Sequence, residues 1–404
     1  MINTAVLGYG TVGSGVVEII NGGSFEKKAG EEITVKKILD IRKFPDDPYG
    51  NLVTDNYDEI VSDGEISIIV ETMGGLKPAY EFTKKALESK KSVVTSNKEL
   101  VAAHGAELLA LAKENGVSYL FEASVGGGIP IIRPLNNCLA ANDITSIAGI
   151  LNGTTNYILT QMFKNGVSFE DALVDAQKKG YAERNPAADI EGHDACRKIA
   201  ILSSLAYGRQ INSDDIKTEG ITNITLQDVK YAEKEGYSIK LIGRSKNCGD
   251  SVYACVSPVM LPKGNPLCDV EDVFNAILVN GSATGDVMFY GKGAGKLPTA
   301  SAVVADVIDI VKHKGYGAPF WEEGGRLAVQ NPDPVVNYVR LKSNDRAKSA
   351  VDAIFGSVKY IEPENGETVF ITSPASESSF NDGIAKLKSI LGSDCVINTI
   401  AVMQ

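Results

Sequence analysis

The chain has 404 residues and a mass of 43.0 kDa, with 44% hydrophobic and 23% charged residues. These proportions are typical of soluble globular proteins, and no apolar run reaches the roughly 20 residues of a membrane-spanning helix, so we expect a cytoplasmic protein without membrane partners. The net charge of −11 argues against nucleic-acid binding, because phosphate backbones are bound by an excess of lysine and arginine.

The cysteine pattern and the length limit the answer further. The six cysteines are scattered, and none forms a CxxC or CxxH pair. We therefore expect reduced, mostly buried thiols and no zinc site. At roughly 150 residues for each domain, the length predicts two or three domains.

The first 120 residues alternate short β-like runs with amphipathic helical patterns. Strands are predicted at 2–7, 33–39, 66–70, 92–95 and 117–121, and helices at about 12–20, 78–90 and 98–114. A repeated strand–helix–strand order is typical of a parallel sheet covered on both faces. The sequence therefore predicts an α/β fold that begins with a Rossmann-type sheet.

A glycine-rich loop follows the first predicted strand directly. Residues 8–13 read GYGTVG and lead into a helix. The glycines permit a tight turn and a close approach of the backbone to a ligand, and the helix N-terminus favours a pyrophosphate. We expect a dinucleotide to bind this loop through Gly8, Gly10, Thr11, Val12 and Gly13.

The end of the second predicted strand carries opposing signals for the choice of cofactor. Asp40 could accept hydrogen bonds from an adenosine ribose, which favours NAD. Arg42 and Lys43 follow closely and could bind a 2′-phosphate, which favours NADP. The sequence leaves the choice open, and we expect both cofactors to serve.

Three more polar or glycine-rich stretches follow predicted strands, at the edge where parallel sheets bind ligands. They read ETMGG (71–75), TSNK (95–98) and EASVGGGIP (122–130). Lys98 starts a helix, where a cation opposes the helix dipole, so we expect it near a negative ligand. The glycines at 126–128 beside Glu122 suit either a hard cation bound through oxygens or a flexible turn.

The pattern changes beyond residue 143. A strand is predicted at 143–151, helices near 155–164, 168–179 and 193–207, and β-rich sequence up to about 290. The turn GKGAGKLPT precedes a helix at 299–313, which we expect to return the chain to the first domain. Two prolines within QNPDPV (330–335) mark a linker.

The residues after this linker form a separate predicted unit. Its elements are strand 335–342, helix 345–355, strand 357–361, strand 367–373, helix 377–391 and strand 395–402. That βαββαβ order is typical of a ferredoxin-like fold.

The stretch YAERNPAADIEGHDACRK (181–198) concentrates charge beside a helical pattern. On a helix that advances about 100° per residue, Asp194 and Lys198 lie on the side of the apolar stripe and are predicted to point inward. A buried carboxylate beside a buried ammonium can hold a proton donor in place. Glu183 and Asp189 could bind the ammonium of an amino acid.

Several motifs together resemble the homoserine dehydrogenase family over nearly the whole chain. They occur in the family's order: GYGTVGSG, ETMGG, TSNKELVA, EASVGGGIPII, GILNGTTNYIL (149–159), YAERNPAADIEGHDACRK and GKGAGKLPTASAVV. The resemblance implies reversible hydride transfer between a nicotinamide cofactor, NADP or NAD, and L-aspartate 4-semialdehyde or L-homoserine. This reaction belongs to threonine and methionine biosynthesis.

The resemblance also implies roles for individual residues. Lys198 is expected to donate the proton or polarise the aldehyde oxygen, with Asp194 beside it and Lys98 near the nicotinamide and the substrate. The expected substrate-binding residues are Glu183, Asp189, Gly153, Thr154, Tyr157 and Lys198. The expected cofactor-binding residues are Gly8, Gly10, Thr11, Val12, Gly13, Asp40, Arg42, Thr95, Lys98 and Gly293. A sodium ion is expected at Glu122, Val125, Gly127 and Ile129.

These observations predict three domains. A Rossmann-type dinucleotide-binding domain is expected over 1–135, completed by about 290–325. An α+β domain for substrate binding and dimerisation is expected over 136–290, which predicts a homodimer or a higher homo-oligomer. Two alternatives stay open, a non-catalytic dinucleotide-sensing regulator and a related amino-acid semialdehyde dehydrogenase.

The ferredoxin-like tail, residues 335–404, resembles an ACT domain, which in this family often binds threonine. Family members usually continue after the position of Asp345-Arg346 with a proline, a glycine and a leucine. This chain has Ala347-Lys348-Ser349 instead. The Cβ atoms would crowd an amino-acid ligand and the lysine would repel its ammonium, so we expect little or no response to threonine.

Overall fold

The computed structural model describes residues 1–23, 25–313, 319, 321, 327–330, 334–342, 345–364 and 366–403. Part of the linker expected at 330–335, and part of the stretch expected to complete the first domain at 290–325, lie outside these residues. In the described part of the chain, no helix is both long enough and apolar enough to cross a membrane.

The strands, in chain order, are β1 (Ile2–Leu7), β2 (Ile33–Leu39), β3 (Val53–Thr54), β4 (Ile66–Glu71), β5 (Ser92–Thr95), β6 (Tyr119–Leu120), β7 (Ile144–Ile150), β8 (Lys217–Thr218), β9 (Tyr237–Asn247), β10 (Ser251–Pro262), β11 (Phe274–Gly281), β12 (Gly285–Lys292), β13 (Ala328–Val329), β14 (Val336–Lys342), β15 (Lys359–Ile361), β16 (Glu367–Ile371) and β17 (Val396–Val402).

The helices are α1 (Thr11–Gly22), α2 (Glu26–Ala29), α3 (Asp58–Val61), α4 (Ala79–Glu88), α5 (Lys98–Glu114), α6 (Gly153–Asn165), α7 (Phe169–Lys178), α8 (Ala187–Ile190), α9 (His193–Tyr207), α10 (Leu226–Lys234), α11 (Lys296–His313), α12 (Ala347–Phe355) and α13 (Glu377–Leu391).

The chain divides into two units. The first unit comprises Met1–Ile147, Arg197–Ile216 and Asn275–Ala328, and the second comprises Ala148–Cys196, Lys217–Phe274 and Val329–Gln404. The chain passes from one unit to the other inside β7 and inside α9, so these elements contribute residues to both.

The first unit contains a six-stranded sheet in the order β3-β2-β1-β4-β5-β6. All of its strand pairs are parallel, as the alternation of strands and helices predicted. Residues of β1, β4 and β5 pack with apolar residues of α1 and α11 in one core cluster. Because neighbouring strand residues point to opposite faces, Leu7, Ile69 and Val93 are buried on the other face, and α4 contacts β4 and β5.

The second unit contains strands in the order β9-β10-β17-β14-β16-β15, with β8 paired to β10. The residues from β14 to β17 follow the predicted strand–helix–strand–strand–helix–strand order. Their own core packs Val339, Leu341 and Phe370 against Val351 of α12 and Leu387 of α13. A short parallel pairing of β17 with β10 joins this tail to the rest of the unit's sheet.

A buried ionic cluster also joins the tail to α10. The Arg340 guanidinium donates to Glu367 at 2.7 and 2.8 Å and to Thr225 Oγ1 at 2.8 Å, and it lies 3.3 Å from Asp228. Asp228 also accepts hydrogen bonds from Tyr338 and from the Asn398 side chain. This cluster fixes the tail to the α10 surface within the second unit.

Candidate active site

The glycine loop of the first unit has the geometry that a dinucleotide requires. Gly8 has φ +92°, which favours glycine, and a Cβ on Gly13 would lie 1.9 Å from the Gly8 carbonyl oxygen. Helix α1 begins at Thr11, and Gly10 caps it without a side chain. Thr11 is exposed and Val12 half-buried. The main-chain N–H groups of the first turn can therefore bind a pyrophosphate at the end of β1.

Asp40 and Arg42, the opposing signals of the sequence, form one ion pair. The Asp40 carboxylate accepts hydrogen bonds from the Arg42 side chain at 2.9 and 3.0 Å and from the main-chain N–H groups of Tyr9 and Arg42. The guanidinium contact holds the pKa of the Asp40 carboxyl well below its usual range. The Asp40 side chain is 7% exposed and that of Arg42 is 59% exposed. The pair therefore presents a fixed positive group to solvent.

Thr95 belongs to a buried hydrogen-bond network at the end of β5. Its Oγ1 donates to Glu71 at 2.5 Å and accepts from the Asn97 main-chain N–H at 2.9 Å. Burial raises the pKa of the Glu71 carboxyl. Lys98 is the half-buried first residue of α5, and the Asn97 side chain caps this helix. The network holds the start of α5 against the carboxyl ends of β4 and β5.

The expected cation site contains a carboxylate that is already hydrogen-bonded. Glu122 is buried and accepts the main-chain N–H groups of Ile131, Ile132 and Arg133 at 2.6–2.8 Å, and the Arg133 Nε lies 3.3 Å away. Its own N–H donates to buried Asp306, whose pKa burial raises to about 8 against the opposing effect of Arg133. Across the described residues, no group of three or more His, Cys, Asp or Glu side chains is placed to hold a metal. A cation here would therefore depend mainly on main-chain carbonyls.

Glycines also bring the GKGAGK loop close to this turn. Gly127 has φ +55°, and a Cβ on it would lie 2.4 Å from the Gly293 carbonyl oxygen. A Cβ on Gly293 would lie 2.0 Å from the Asn275 amide nitrogen. Val125 and Ile129 are buried in the same turn. Gly127 therefore occupies a position where only glycine fits against the Gly293 backbone, whereas a Cβ on Gly293 would meet the Asn275 side chain.

In the second unit, Asn152 joins two of the expected acids. Its Nδ2 donates to Asp189 at 2.7 Å and to Asp194 at 2.9 Å. Asn152 and Asp194 are buried, and Asp189 is half-buried. Both acids were predicted from the sequence, but Asn152, which lies in the NGTTNY motif, was not; its position directly before a helix was the available signal.

Helix α9 carries the predicted inward pair. Asp194 is 3% exposed and Lys198 is 8% exposed, so the prediction that both point inward is confirmed. They are one helical turn apart, which places their side chains on the same face. His193 is exposed and contacts Glu191.

Three of the other expected substrate residues, Gly153, Thr154 and Tyr157, lie in the first two turns of α6. Gly153 begins the helix, and the Thr154 hydroxyl donates to the Tyr181 carbonyl at 2.6 Å. The Tyr157 hydroxyl contacts Asp175 and accepts from Lys179 at 2.7 Å. Both hydroxyls therefore already have protein partners. Glu183 is exposed, in the loop between α7 and α8.

The fold and these residues define a class of protein. A parallel sheet in the order 3-2-1-4-5-6 with a glycine loop after its first strand is typical of dinucleotide-binding proteins. A buried acid and a buried lysine on one helix are groups that can serve a reacting oxygen. Together they define a dinucleotide-dependent oxidoreductase.

Two family models match the chain and identify it further. One, described as "Homoserine dehydrogenase, NAD binding domain", matches residues 8–122, and another, described as "Homoserine dehydrogenase", matches residues 130–308. The chain belongs to the homoserine dehydrogenase family and is an NAD(P)-dependent oxidoreductase.

Individual relatives agree with this assignment. The homoserine dehydrogenase of Bacillus subtilis is 38% identical, over 96% of this chain and 95% of the relative. The crystal structure of a homoserine dehydrogenase from Thiobacillus denitrificans has a TM-score of 0.91 at 36% identity and covers 100% of this chain and 98% of its own. A hyperthermophilic archaeal homoserine dehydrogenase in complex with NADPH has a TM-score of 0.65 at 30% identity, over 76% of this chain and 97% of its own.

Proposed function

We propose that Lys198, Asp194 and Lys98 serve the reversible NAD(P)H-dependent reduction of L-aspartate 4-semialdehyde to L-homoserine. The observation that carries these roles is the burial of Asp194 and Lys198 on one face of α9. A lysine in this environment can donate a proton to, or place a fixed positive charge on, an oxygen that gains negative charge.

The bound nicotinamide supplies the hydride, and the protein supplies binding, orientation and the proton. Hydride addition to the aldehyde carbon leaves an alkoxide, which the Lys198 ammonium protonates or stabilises. Asp194, one helical turn before Lys198 on the same face of α9, orients the Lys198 ammonium. Lys98, at the start of α5, lies in the unit with the glycine loop and acts near the nicotinamide and the substrate.

The ammonium of the substrate binds Glu183 and Asp189. Glu183 lies in the loop before α8, and Asp189 lies within α8. The rest of the substrate pocket is lined by Gly153, Thr154 and Tyr157. Since the hydroxyls of Thr154 and Tyr157 bond protein groups, we assign these two residues to shaping the pocket. The exposed Glu183 carboxylate can meet an incoming ammonium directly.

A comparison of three aldehydes tests these substrate roles. L-Aspartate 4-semialdehyde should be reduced well, succinate semialdehyde poorly because it lacks the ammonium, and L-glutamate 5-semialdehyde poorly because it is longer. Loss of a hydrogen bond to a charged group costs about 1.5–3 kcal/mol, so Glu183→Ala should raise KM for the first substrate by about 10- to 100-fold. Arg184→Ala, an exposed neighbour, is the control. Equal rates with all three aldehydes, or an unchanged KM in Glu183→Ala, would contradict the assignment.

Both NADPH and NADH serve as reductants, with NADPH favoured. The Asp40 carboxylate, which would accept a ribose hydroxyl, already accepts hydrogen bonds from Tyr9 and Arg42. The exposed Arg42 guanidinium is held in place for a 2′-phosphate. Gly8, Gly10, Thr11, Val12 and Gly13 bind the pyrophosphate, while the Thr95 hydroxyl and Gly293 support the pocket.

A monovalent cation such as sodium binds weakly, through the carbonyls of Val125, Gly127 and Ile129 with Glu122. Carbonyl oxygens suit a hard cation, and the hydrogen bonds to Glu122 limit what its carboxylate can add. Activity in sodium buffer compared with tetramethylammonium buffer tests this site.

Residues 335–404 form an ACT-like domain, supported by the strand order β17-β14-β16-β15 with antiparallel pairing. The Ala347 side chain is buried at the start of α12, and the Lys348 ammonium lies over the Tyr360 ring at 4.9 Å. Both features oppose binding of an amino acid there, so threonine should inhibit weakly or not at all. Millimolar inhibition that disappears on truncation near Pro334 would contradict this.

The domain boundaries follow from these roles: 1–135 with about 290–325 for the cofactor, 136–290 for the substrate and dimerisation, and 335–404 for the tail. The exposed Met288 and Tyr290 of β12 support a homodimer contact in the middle domain. Light scattering of the purified protein measures the oligomeric state.

A further inference from the structure

Asn152 connects three structural elements through one side chain. It is the N-cap of α6, where its Oδ1 accepts the main-chain N–H of Thr155 at 2.9 Å. Its Nδ2 donates one hydrogen bond to Asp189 at 2.7 Å and another to Asp194 at 2.9 Å. Asn152 is 6% exposed, so these bonds form away from water.

The surroundings fix the orientation of this amide. In the opposite orientation its oxygen would face two carboxylates and its NH2 group would face a helix N–H, so both ends would be mismatched. The α6 cap therefore determines where the two N–H groups point. Each of them meets a carboxylate that comes 37 or 42 residues later in the chain.

The chemistry of this position is specific to asparagine. Ser, Thr, Asp and Gly also cap helices well, but only asparagine adds an NH2 group with two donors to the capping oxygen. Two carboxylates held near each other repel, and donors shared between them offset that repulsion.

We propose that Asn152 is a positioning residue of the reaction, which holds Asp189 and Asp194 in one arrangement through the two N–H groups of its amide. The inference rests on the proposed roles of these acids, one at the substrate ammonium and one beside Lys198. Asn152 acts through them and touches neither substrate nor cofactor. Displacing the amide therefore impairs substrate binding and the chemical step together.

Two substitutions separate positioning from helix capping. Asn152→Ser keeps an oxygen for the cap and removes the amide donors, whereas Asn152→Asp keeps the cap and adds a third carboxylate. Ser168→Ala removes the N-cap of α7 in the same unit and is the control for loss of a cap. For all three, kcat and KM with L-aspartate 4-semialdehyde and the melting temperature are measured beside the wild type.

Asn152→Ser should melt within about 4 °C of the wild type, yet lose about 10- to 100-fold in kcat/KM, the effect of losing hydrogen bonds to charged groups. Asn152→Asp should lose more. Ser168→Ala should keep wild-type kcat/KM. The isotope effect with NADPH deuterated at C4 should rise in Asn152→Ser, because a slower chemical step limits turnover.

Wild-type kcat/KM in Asn152→Ser, or a loss explained by a melting temperature far below that of Ser168→Ala, would overturn the inference. A wild-type protein that does not reduce L-aspartate 4-semialdehyde would overturn the proposed function itself, so the two failures are distinguishable.

Discussion

At the scale of single residues, the Arg42 guanidinium is held by two hydrogen bonds to the Asp40 carboxylate and remains 59% exposed. The Asp40 carboxylate and the Arg42 guanidinium, two residues apart, were opposing cofactor signals in the sequence. In the structure they are partners, with the arginine held by the acid. A local motif identifies residue types, whereas their pairing depends on side-chain directions that the motif does not specify.

This pairing predicts how cofactor use responds to mutation. Arg42→Ala should lower kcat/KM for NADPH by about 10- to 100-fold, because a charge-assisted contact to the 2′-phosphate is lost. The value for NADH should change little, and the exposed Lys27→Ala serves as the control. Initial rates with both cofactors measure the effect. A wild-type preference beyond about a hundredfold, near 3 kcal/mol, would show that either Asp40 or the Arg42/Lys43 pair points away from the ribose.

The sequence predicted the bounds of helices and strands better than it predicted which side chains pair. The bounds expected for 2–7, 33–39, 92–95, 98–114 and 193–207 agree with the structure, because apolar runs and helix caps mark them locally. Helix α10 was missed within sequence interpreted as β-rich. Its buried Asp228 and Tyr231 bond residues of the distant tail, and no local pattern shows such contacts.

At the scale of an element, the glycine loop between β1 and α1 predicts how substitutions change NADPH binding and stability. A Cβ on Gly10 would meet no atom within 4 Å, and Gly10 has an ordinary φ of −85°, whereas a Cβ on Gly13 would lie 1.9 Å from the Gly8 oxygen. Gly10→Ala should therefore keep its melting temperature and bind NADPH more weakly, because the methyl group occupies the path of the pyrophosphate. Gly13→Ala should lose stability as well. NADPH fluorescence titration and thermal melting separate the two. Unchanged NADPH affinity in Gly10→Ala would place the pyrophosphate elsewhere.

Strand β9 carries a buried lysine with a measurable consequence. Burial lowers the pKa of Lys240 from 10.5 to about 8, and its ammonium donates to the Val270 carbonyl at 2.5 Å. Between about pH 8 and 10.5 the unfolded chain binds more protons than the folded chain, so this group makes stability rise with pH. Urea unfolding of Lys240→Met, measured across this pH range, should lack the rise in the free energy of unfolding that Lys240 causes. Lys246→Met, exposed on the same strand, should retain it. Identical pH profiles for Lys240→Met and the wild type would refute the assignment.

At the scale of the whole molecule, the order of strands and helices was predictable but the attachment of the tail was not. The motifs and the βαββαβ pattern anticipated the parallel sheet and the tail's elements. The contact of Arg340 with Asp228 links residues 112 positions apart in the chain, and the β10–β17 pairing places Val259 beside Ala401. Neither leaves a signal in local sequence.

The ionic cluster predicts that the tail contributes to the stability of the second unit. Arg340→Met leaves buried Asp228 and half-buried Glu367 without their cation, and breaking a buried pair such as Arg340–Asp228 costs about 3–5 kcal/mol. Lys342→Met is the matched control, since Lys342 pairs with exposed Asp394 and its loss should barely change the melting temperature. Denaturant unfolding compares the two. Equal stability would show that the cluster does not hold the tail.

The role proposed for Lys198, which is buried one helical turn from Asp194 on α9, is to serve the reacting oxygen. Its most direct test is NADPH oxidation by L-aspartate 4-semialdehyde in the wild type, in Lys198→Ala and in Lys230→Ala, which removes an exposed lysine from α10. Lys198→Ala should lose about 10²- to 10⁴-fold in kcat, the usual contribution of general acid catalysis. Its NADPH dissociation constant should stay near the wild-type value, and Lys230→Ala should match the wild type throughout. Near-wild-type turnover in Lys198→Ala would contradict the account.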